Sequence, residues 1–434
     1  MSIEQLYQNF LSSTGVTTDT RNIAEGNIFF ALKGDKFNAN TFAAEAFTKG
    51  AKFVVVDELT DTSWKEKFGD KLVVTDNSLK TLQDLAGYHR NQLDCPVIAI
   101  TGSNGKTTTK ELIAAVLSKK YKTYFTKGNL NNHIGIPLTL LSIKNDVEMA
   151  VIEMGANHQG EIAGYCEYVN PDYGLITNVG LAHTEGFGGF EGVVKGKTEL
   201  YRYIDATGGK IFVSADNELL LLKIPNHDTI ITYGQSSSAY CKGMLGKSAD
   251  FLSLIIDDNG APVNICTQLV GDYNFENAMS AVCTGKYFEV STTAIKEALE
   301  AYAPTNNRSQ KITYGTNNII LDAYNANPSS MTEALKNFAK IEATAKTVIL
   351  GEMMELGDYS KAEHEKIAAL VKSMPLAKKV FTGGGFQFLE HDPAVIYFAK
   401  PDDLKTWFKA QQFENSYLLI KGSRKNELEK ILKD

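Results

Sequence analysis

The sequence lacks several features that would assign a protein to a membrane or to an oxidising compartment. No apolar run approaches the roughly 20 residues of a membrane-spanning helix, so no membrane insertion is expected. Residues 1–5 lack the basic start of a signal peptide, and no apolar stretch follows them. The five cysteines form no CxxC pair, which favours reduced thiols over disulfides or a zinc site. Together these absences predict a soluble, cytoplasmic protein.

The chain also lacks the positive charge of a general nucleic-acid binder, because its net charge is −7. Its apolar content of 43% is ordinary for a globular protein and allows sizeable cores. A length of 434 residues predicts about three domains. A Pro-containing break at 94–96 and a linker-like segment at 303–307 divide the chain. We therefore expect domains at residues 1–93, 94–304 and 305–434.

Apolar runs that alternate with helical patterns predict an α/β fold along the whole chain. The near-continuous apolar runs of the middle domain are typical of a buried parallel sheet. Residues 230–270 instead have short alternating segments and an Asp-Asn-Gly turn, which predict a small antiparallel excursion before a helix at 274–290. The predicted strands are 27–32, 53–56, 97–100, 149–154, 173–178, 210–214, 319–324, 347–350, 379–382 and 417–420.

The most informative segment, residues 101–108, reads Thr-Gly-Ser-Asn-Gly-Lys-Thr-Thr. It joins an apolar strand to a helix predicted at 106–119, and backbone N–H groups at such a turn form an anion site. Lys106 is suited to the β- and γ-phosphates of a nucleotide, and Thr107 to Mg²⁺. Only two residues separate Gly102 from Gly105, so the common phosphate-loop spacing fails. The preceding strand and the threonine run still favour phosphate binding over an ordinary glycine turn.

Polar clusters follow four predicted strands, at the edge where parallel sheets bind ligands. Glu153 ends one strand and is suited to hold a hard cation, although a strand-end carboxylate can also be merely solvated. His183 lies in a Gly-rich loop after another strand, where a metal or phosphate role competes with a structural one. The clusters occupy residues 101–104, 153–157, 325–328 and 421–424.

Several other polar residues allow two interpretations. Residues 195–199 have the composition of a solvated helix start. Asn274 and Asn277 share a helix face, so one can cap the helix while the other binds a ligand. Arg308, Lys421 and Arg424 are either surface charges or cations of a mobile domain that closes on a triphosphate.

Taken together, these motifs resemble the Mur ligases, ATP-dependent amide-forming enzymes of peptidoglycan precursor synthesis. The short phosphate loop at 101–108 is similar to theirs, and the resemblance spans the whole chain. It is greatest to the members that add D-alanyl-D-alanine to the UDP-N-acetylmuramoyl tripeptide. The stretches that carry it are 18–21 with 30–34, 129–137, and 322–328 followed by 351–357. It implies a small α/β UDP-binding domain, a central parallel-sheet P-loop ATPase domain and a Rossmann-like C-terminal domain.

The resemblance also implies roles for individual residues. Those implied in catalysis are Lys106, Glu153, His183 and Lys197. Those implied in ATP binding are Gly102, Ser103, Asn104, Gly105, Lys106, Thr107, Thr108, Asn277 at the adenine, Arg308 at the phosphates and Asp322 at the ribose. Those implied as ligands of two Mg²⁺ ions are Thr107, Glu153, His183 and Lys197, the last bearing a CO₂-derived carbamate. Those implied in substrate binding are Thr20, Arg21, Asn131, Asn132, Asn325, Asn327, Lys421 and Arg424.

The implied reaction is formation of the UDP-muramoyl pentapeptide through an acyl phosphate, by a cytoplasmic monomer that serves cell-wall synthesis, cell shape and division. Four positions depart from the family pattern: Tyr273 replaces a His, residues 38–40 read Asn-Ala-Asn, residues 307–310 read Asn-Arg-Ser-Gln, and Thr198 replaces a Gly. Two alternatives remain. One is a ligase of the same fold that adds a single amino acid, or glutamate to a folate, and the other is a nucleotide-dependent switch without ligase activity.

Overall fold

The computed structural model describes residues 1–247 and 251–433, which form successive α/β units. In the first unit the strands alternate with helices, and its first and last helices have capped starts. Ser2 and Gln5 form a capping box at the first helix, and the Asn77 side chain accepts from Lys80 N at the last. Its elements are α1 (Ile3–Leu11), β1 (Val16–Thr17), β2 (Ile28–Phe30), β3 (Lys33–Gly34), β4 (Phe37–Asn38), α2 (Ala43–Thr48), β5 (Phe53–Val56), α3 (Ser63–Phe68), β6 (Leu72–Val74) and α4 (Ser78–Arg90).

The sheet of the first unit has the order β1-β2-β5-β6, and all its neighbours run parallel. The central residues of β2 and β5 are fully buried, which explains why both strands were readable as apolar runs. β3 and β4 form a separate antiparallel ribbon.

The second unit contains the largest sheet, whose strands and helices alternate as the sequence predicts. Its elements are β7 (Val97–Thr101), α5 (Lys106–Leu117), β8 (Thr123–Phe125), α6 (Gly135–Leu140), β9 (Met149–Glu153), α7 (Glu161–Val169), β10 (Tyr173–Ile176), α8 (Thr184–Phe187), α9 (Phe190–Lys197), α10 (Glu199–Thr207), β11 (Lys210–Ser214), α11 (Glu218–Leu221), β12 (Ile230–Gly234), β13 (Cys241–Leu245), β14 (Ser253–Asp258), β15 (Ala261–Cys266), α12 (Phe275–Tyr287) and α13 (Thr292–Ala301).

The strand order β15-β14-β13-β12-β11-β10-β7-β9-β8 sets β7 between β9 and β10. Alternate residues of β7 enter two different cores, Val97 and Ala99 on one face and Ile98 and Ile100 on the other. The strand is therefore buried on both faces, as its unbroken apolar run predicts. Because the neighbours are parallel, the loops after β7, β9 and β10 emerge at one edge.

The predicted antiparallel excursion is confirmed only in part. β13, β14 and β15 are antiparallel neighbours, but β12 pairs in parallel with β11, and β13 pairs in parallel with β12. The prediction was thus wrong for the first strand of the 230–270 segment, which extends the parallel sheet. The helix expected at 274–290 is α12, which is shorter and follows a 3₁₀ turn at Asp272–Asn274.

The third unit has the sheet order β16-β17-β21-β18-β19-β20, parallel except for the edge strand β16. Asn327 begins its first helix with a capping box and Pro328 at the first turn. Its elements are β16 (Gln310–Tyr314), β17 (Asn317–Asp322), α14 (Pro328–Lys340), β18 (Lys346–Gly351), α15 (Ser360–Ser373), β19 (Lys378–Thr382), β20 (Ile396–Phe398), α16 (Pro401–Ala410) and β21 (Tyr417–Lys421). No helix within the described ranges is long and apolar enough to cross a bilayer.

His89 joins the first unit to the second through two buried contacts. It is 3% exposed, its Nδ1 lies 3.2 Å from the Tyr7 hydroxyl, and its Nε2 lies 2.8 Å from the Ile143 carbonyl oxygen. These contacts fit a neutral ring that donates from Nε2. Burial lowers the pKa of His89, opposed by the hydrogen bond to Ile143.

We therefore expect the unfolding free energy to fall as the pH drops through about 6.5, because the unfolded chain then binds the extra proton. The loss attributable to His89 is at most about 1.4 kcal/mol per pH unit. Urea unfolding of the wild type and of His89→Gln at pH 7.5 and pH 5.5 measures it, with the exposed His391→Gln as control. The variant should show the shallower pH dependence, and an equal dependence in both proteins would contradict the assignment.

Candidate active site

A cleft of about 800 Å³ opens at the carboxyl edge of the central sheet and is closed on its far side by the third unit. Its lining includes the loops after β7, β9 and β10, the start of α12, and residues at the carboxyl ends of β17 and β21. The cleft thus collects polar residues from strands that are distant in sequence, at the edge where parallel sheets bind ligands.

The phosphate-type loop between β7 and α5 requires glycine at two positions. Gly102 and Gly105 have φ values of 143° and 79°, which L side chains rarely adopt. A Cβ at Gly102 would lie 2.0 Å from Thr177 Oγ1, and one at Gly105 would lie 2.5 Å from Asn277 Oδ1. Close packing of the loop against Thr177 and α12 therefore requires glycine at both positions.

Asn178, which the sequence did not identify, holds this loop in place. Its carbonyl oxygen accepts from Ser103 N at 2.9 Å, and its Oδ1 accepts from Asn104 N at 3.0 Å. The neighbouring Thr177 hydroxyl donates to the Asn104 carbonyl oxygen at 2.5 Å. The only sequence signal was the position of Thr177 and Asn178 directly after a buried strand.

Lys106 begins α5 and lines the cleft together with Thr107 and Thr108. Its Nζ donates to the carbonyl oxygens of Gly102 at 2.6 Å and Ser103 at 3.2 Å. Burial lowers the pKa of Lys106 to about 8, although Glu153 raises it in part. The negative charge of a bound polyphosphate would offset the desolvation of this ammonium. This is expected of a phosphate-binding lysine.

Glu153 is buried, with 1% of its surface exposed, so the interpretation as a solvated strand end is wrong. Its Oε1 accepts from Thr107 Oγ1 at 3.1 Å and from Asn131 Nδ2 at 2.7 Å. Its Oε2 has no hydrogen-bond donor within the described part of the chain. A buried carboxylate oxygen left without a donor fits a cation ligand, and the adjacent Thr107 hydroxyl supplies a second oxygen.

Lys197, the last residue of α9, is also 1% exposed, whereas Lys195 in the same run faces solvent. The interpretation of residues 195–199 as a solvated helix start is therefore wrong for Lys197. Its Nζ donates to the Ala156 carbonyl oxygen at 3.1 Å and lies 5.0 Å from the centre of the Phe187 ring. Burial, and then the charge of Lys106, lower the pKa of Lys197 well below its usual range. A lowered pKa favours the neutral, nucleophilic form of this amine.

His183 contacts a residue of the third unit rather than the other proposed metal ligands. It adopts a left-handed conformation with φ of 54°, and its Nδ1 pairs with the Glu355 carboxylate. This contact lowers the pKa of Glu355 despite partial burial. Across the described ranges no three His, Cys, Asp or Glu side chains converge as a metal site.

The structure corrects the capping interpretation of Asn274 and Asn277. The Asn274 side chain does not cap α12 but donates to the Val270 carbonyl oxygen at 2.8 Å. Asn277 donates to Asn274 Oδ1 at 2.8 Å and accepts from Thr109 Oγ1 at 3.0 Å. Asn277 therefore supports the phosphate-type loop from behind while it also lines the cleft.

On the opposite wall, Arg308 and Lys421 are part of the cleft and not surface charges. The Arg308 guanidinium lies 3.6 Å from the centre of the Tyr324 ring, and its buried Nε has no hydrogen-bond acceptor within residues 1–247 and 251–433. Lys421 is 2% exposed and donates to Asp322 Oδ2 at 2.5 Å. The Tyr273 hydroxyl, at a position where the family often has His, lies 2.7 Å from Ser309 Oγ and bridges the two units.

The third unit contacts the phosphate-type loop directly. Asn327 Nδ2 donates to Asn104 Oδ1 at 2.7 Å, while Asn327 Oδ1 caps α14 by accepting from Ser330 N. Ser329 Oγ accepts from Leu181 N at 3.2 Å. Asn325 lines the same wall, and its side chain turns back to accept from Ala326 N. These contacts define a closed arrangement of the two units over the cleft.

Some predicted substrate residues lie outside the cleft lining. Arg424 is 60% exposed and pairs with Glu429. Arg21 is 85% exposed and pairs with Asp19, and Thr20 lies beside it in a 3₁₀ turn. Asn132 does line the cleft, and its Oδ1 accepts from the Gly135 and Ile134 amides at the start of α6.

Residues 38–40, which depart from the family pattern, form a compact polar cluster in the first unit. Asn40 is fully buried and its Nδ2 donates to Asp57 Oδ1 at 2.7 Å and to Asn38 Oδ1 at 2.9 Å. Its Oδ1 accepts from Asp57 N at 3.1 Å. Asn40 therefore organises the loop that follows the ribbon β3–β4.

Comparisons with known proteins agree with this architecture. The family model of the Mur ligase middle domain matches residues 100–285, and that of the Mur ligase, glutamate ligase domain matches residues 307–424. The UDP-N-acetylmuramoyl-tripeptide–D-alanyl-D-alanine ligase of Bacillus subtilis is 33% identical over 432 residues, covering 97% of this chain and 92% of that protein. The ligase of the same name from Escherichia coli is 32% identical, covering 96% of this chain and 92% of that protein.

Solved structures give the same result for the fold. MurF from Acinetobacter baumannii superposes with a TM-score of 0.87 at 28% identity, covering 99% of this chain and 97% of that one. A MurF ligase from Thermotoga maritima in complex with ADP superposes with a TM-score of 0.86 at 22% identity, covering 98% of this chain and 97% of that one. The likeness thus extends over all three units.

Proposed function

The chain belongs to the Mur ligase family, and we propose that it joins D-alanyl-D-alanine to the UDP-N-acetylmuramoyl tripeptide at the expense of ATP. The product is the UDP-muramoyl pentapeptide of peptidoglycan synthesis. The observation that carries the proposal is one cleft lined by the loop of Lys106 and by the buried Glu153, with the buried Lys197 bound to the carbonyl oxygen of Ala156, another lining residue. A nucleotide switch needs the first two but has no use for Lys197, so a ligase is favoured.

The chemistry starts from a carboxylate, which is a poor acylating agent. We infer that the terminal carboxylate of the tripeptide attacks the γ-phosphorus of ATP, so that ADP leaves and an acyl phosphate forms. The amine of D-alanyl-D-alanine then adds to the acyl carbon and loses a proton. Collapse of the tetrahedral intermediate releases phosphate and leaves the amide. Lys106 and the loop amides would bind the transferred phosphoryl group throughout.

Mg²⁺ would be held first by Thr107 and Glu153, and a second ion by Glu153, His183 and a carbamate on Lys197. When bound, these ions would neutralise charge among the phosphates and the attacking carboxylate. The fit rests on Oε2 of Glu153, which accepts no hydrogen bond within the described residues, and on the lowered pKa of Lys197, which favours the neutral amine that can add to CO₂ with loss of a proton. For the second ion His183 would have to exchange its contact with Glu355.

The other residues would recognise the substrates. We assign ATP contacts to Asn277, Arg308 and Asp322, in keeping with their positions on the cleft walls. The first unit, residues 1–93, would hold the uridine diphosphate near Thr20 and Arg21, and residues 94–304 and 305–434 would be the ATP-binding and ligase domains of a monomer. The remaining residues assigned to substrate binding are Asn131, Asn132, Asn325, Asn327, Lys421 and Arg424. Closure of the third unit would keep water from the acyl phosphate.

Phosphate release tests the proposed reaction. With ATP, Mg²⁺ and a UDP-muramoyl tripeptide, we expect release only when D-alanyl-D-alanine is added, and mass spectrometry should find the pentapeptide. Reactions without acceptor, with single amino acids, and with folate and glutamate serve as controls. Release that needs no acceptor would favour a switch, and release with folate and glutamate or with a single amino acid would favour another ligase of this fold.

A further inference from the structure

Lys110 is a buried cation that the proposed chemistry does not use. It lies on α5, one turn after Lys106, with 1% of its surface exposed, and it is not among the residues that line the cleft. Its Nζ is 3.7 Å from Glu153 Oε2 and 3.7 Å from Glu111 Oε1, and 5.8 Å from the centre of the Phe125 ring. Lys110 is thus shared equally between two carboxylates.

The first of these carboxylates belongs to the nucleotide site. Glu153 Oε1 already accepts from Thr107 and Asn131, while Oε2 has no hydrogen-bond donor in the described residues. The ammonium of Lys110 therefore opposes the charge of Glu153 on the side where that carboxylate is otherwise without a polar partner. Because both groups are buried, their attraction is screened far less than that of a surface pair.

The second carboxylate belongs to the linker between the second and third units. Glu111 Oε2 accepts from the Tyr302 hydroxyl at 2.6 Å, and Glu111 Oε1 accepts from Asn306 Nδ2 at 3.2 Å. Tyr302 and Asn306 lie between the end of α13 and the start of β16, on the covalent connection to the unit that closes the cleft. Glu111 therefore clamps the linker to the helix that begins at the phosphate-type loop.

We propose that Lys110 and Glu111 are positioning residues that couple cation binding at Glu153 to the position of the third unit over the cleft. When Oε2 of Glu153 takes a divalent cation, its charge is satisfied and Lys110 is drawn toward Glu111. The strengthened Lys110–Glu111 pair then holds the carboxylate that binds Tyr302 and Asn306. By reciprocity, an intact linker clamp favours the cation-bound orientation of Glu153. The inference rests on the proposed function only through the role of Glu153 as a cation ligand.

A double-mutant cycle on Mn²⁺ affinity tests the coupling, with Mn²⁺ as a spectroscopic substitute for Mg²⁺ and ADP present. Tyr302→Phe removes only the hydroxyl that binds Glu111, yet it should weaken Mn²⁺ binding about 5-fold, a typical coupling between distinct sites. In the Lys110→Met background the same change should alter the affinity less than about 2-fold, because the connection is already broken. Electron paramagnetic resonance of free Mn²⁺ gives both constants.

Tyr121→Phe is the matched control, since it removes a tyrosine hydroxyl that bonds the Phe288 carbonyl oxygen outside this cluster. It should leave Mn²⁺ affinity unchanged. If Lys110→Met does not fold, Glu111→Gln replaces it, because Glu111 is partly exposed and glutamine keeps an acceptor without the charge. Equal effects of Tyr302→Phe in both backgrounds, or no effect in the wild type, would overturn the proposal, as would a wild-type ADP complex that binds no Mn²⁺.

The readout separates this inference from the proposed reaction. Mn²⁺ binding to the ADP complex requires neither the tripeptide nor the dipeptide acceptor. If the acceptor assay failed but the two mutations had non-additive effects on Mn²⁺ affinity, the ligase assignment would be wrong and the coupling would stand. A working acceptor assay with additive mutations would remove the coupling and leave the ligase.

Discussion

Replacement of Lys197 by alanine is expected to lower kcat about 100- to 1,000-fold, which corresponds to roughly 3–4 kcal/mol of lost transition-state stabilisation. The reason lies in the burial of the amine. Lys197 is 1% exposed, and burial holds its pKa well below the usual range, which favours the neutral, nucleophilic amine. Such an arrangement is more consistent with carbamate formation than with a purely structural lysine.

Chemical rescue makes this prediction specific. Short carboxylates such as acetate should restore part of the activity of Lys197→Ala, because they can occupy the space of the lost carbamate. They should not stimulate the wild type or Lys195→Ala, whose lysine lies in the same run but faces solvent. Steady-state phosphate release over a series of acetate concentrations measures the effect. An alanine variant with full activity would remove Lys197 from the site.

The sequence predicted the parts of the site that depend on local order. The strand before Gly102 and the helix from Lys106 were predicted within a few residues of β7 and α5, because a buried parallel strand and a threonine-rich helix start each leave a continuous local signal. The pairing of β12 was predicted wrongly as antiparallel, because the choice between a parallel and an antiparallel neighbour depends on the rest of the sheet.

Contacts between residues far apart in the chain also could not be predicted from the sequence. Asn104 and Asn327 are separated by 223 positions, and only the docking of the third unit brings them together. Docking of the third unit also places Glu355 beside His183, whereas the pairing of β7 with β10 places Asn178 behind the phosphate-type loop. Arg424, a basic residue after a strand end, turns outward to pair with Glu429. Position at a strand end predicts proximity to the cleft but not the direction of a side chain.

Lys106→Met is expected to lower kcat/KM for ATP about 1,000-fold, because it removes the cation that we assign to the phosphates. Lys119→Met, an exposed change beyond the end of the same helix, should stay within about 2-fold of the wild type, as surface substitutions usually do. Initial rates over a range of ATP concentrations measure both. A Lys106 variant within tenfold of the wild type would argue against a role at the phosphates.

The protonation of Lys106 gives a second and independent test. Its pKa is about 8 in the ligand-free cleft because burial disfavours the ammonium, and bound phosphates should raise it. Nucleotide binding at pH 8 should therefore take up about half a proton, and at pH 6.5 almost none, since Lys106 is already protonated there. Affinity should accordingly fall as the pH rises above about 8. Calorimetry of ADP binding in buffers of different ionisation enthalpy measures the proton uptake. An uptake that is the same at pH 6.5 and at pH 8 would assign the phosphate contact to a different group.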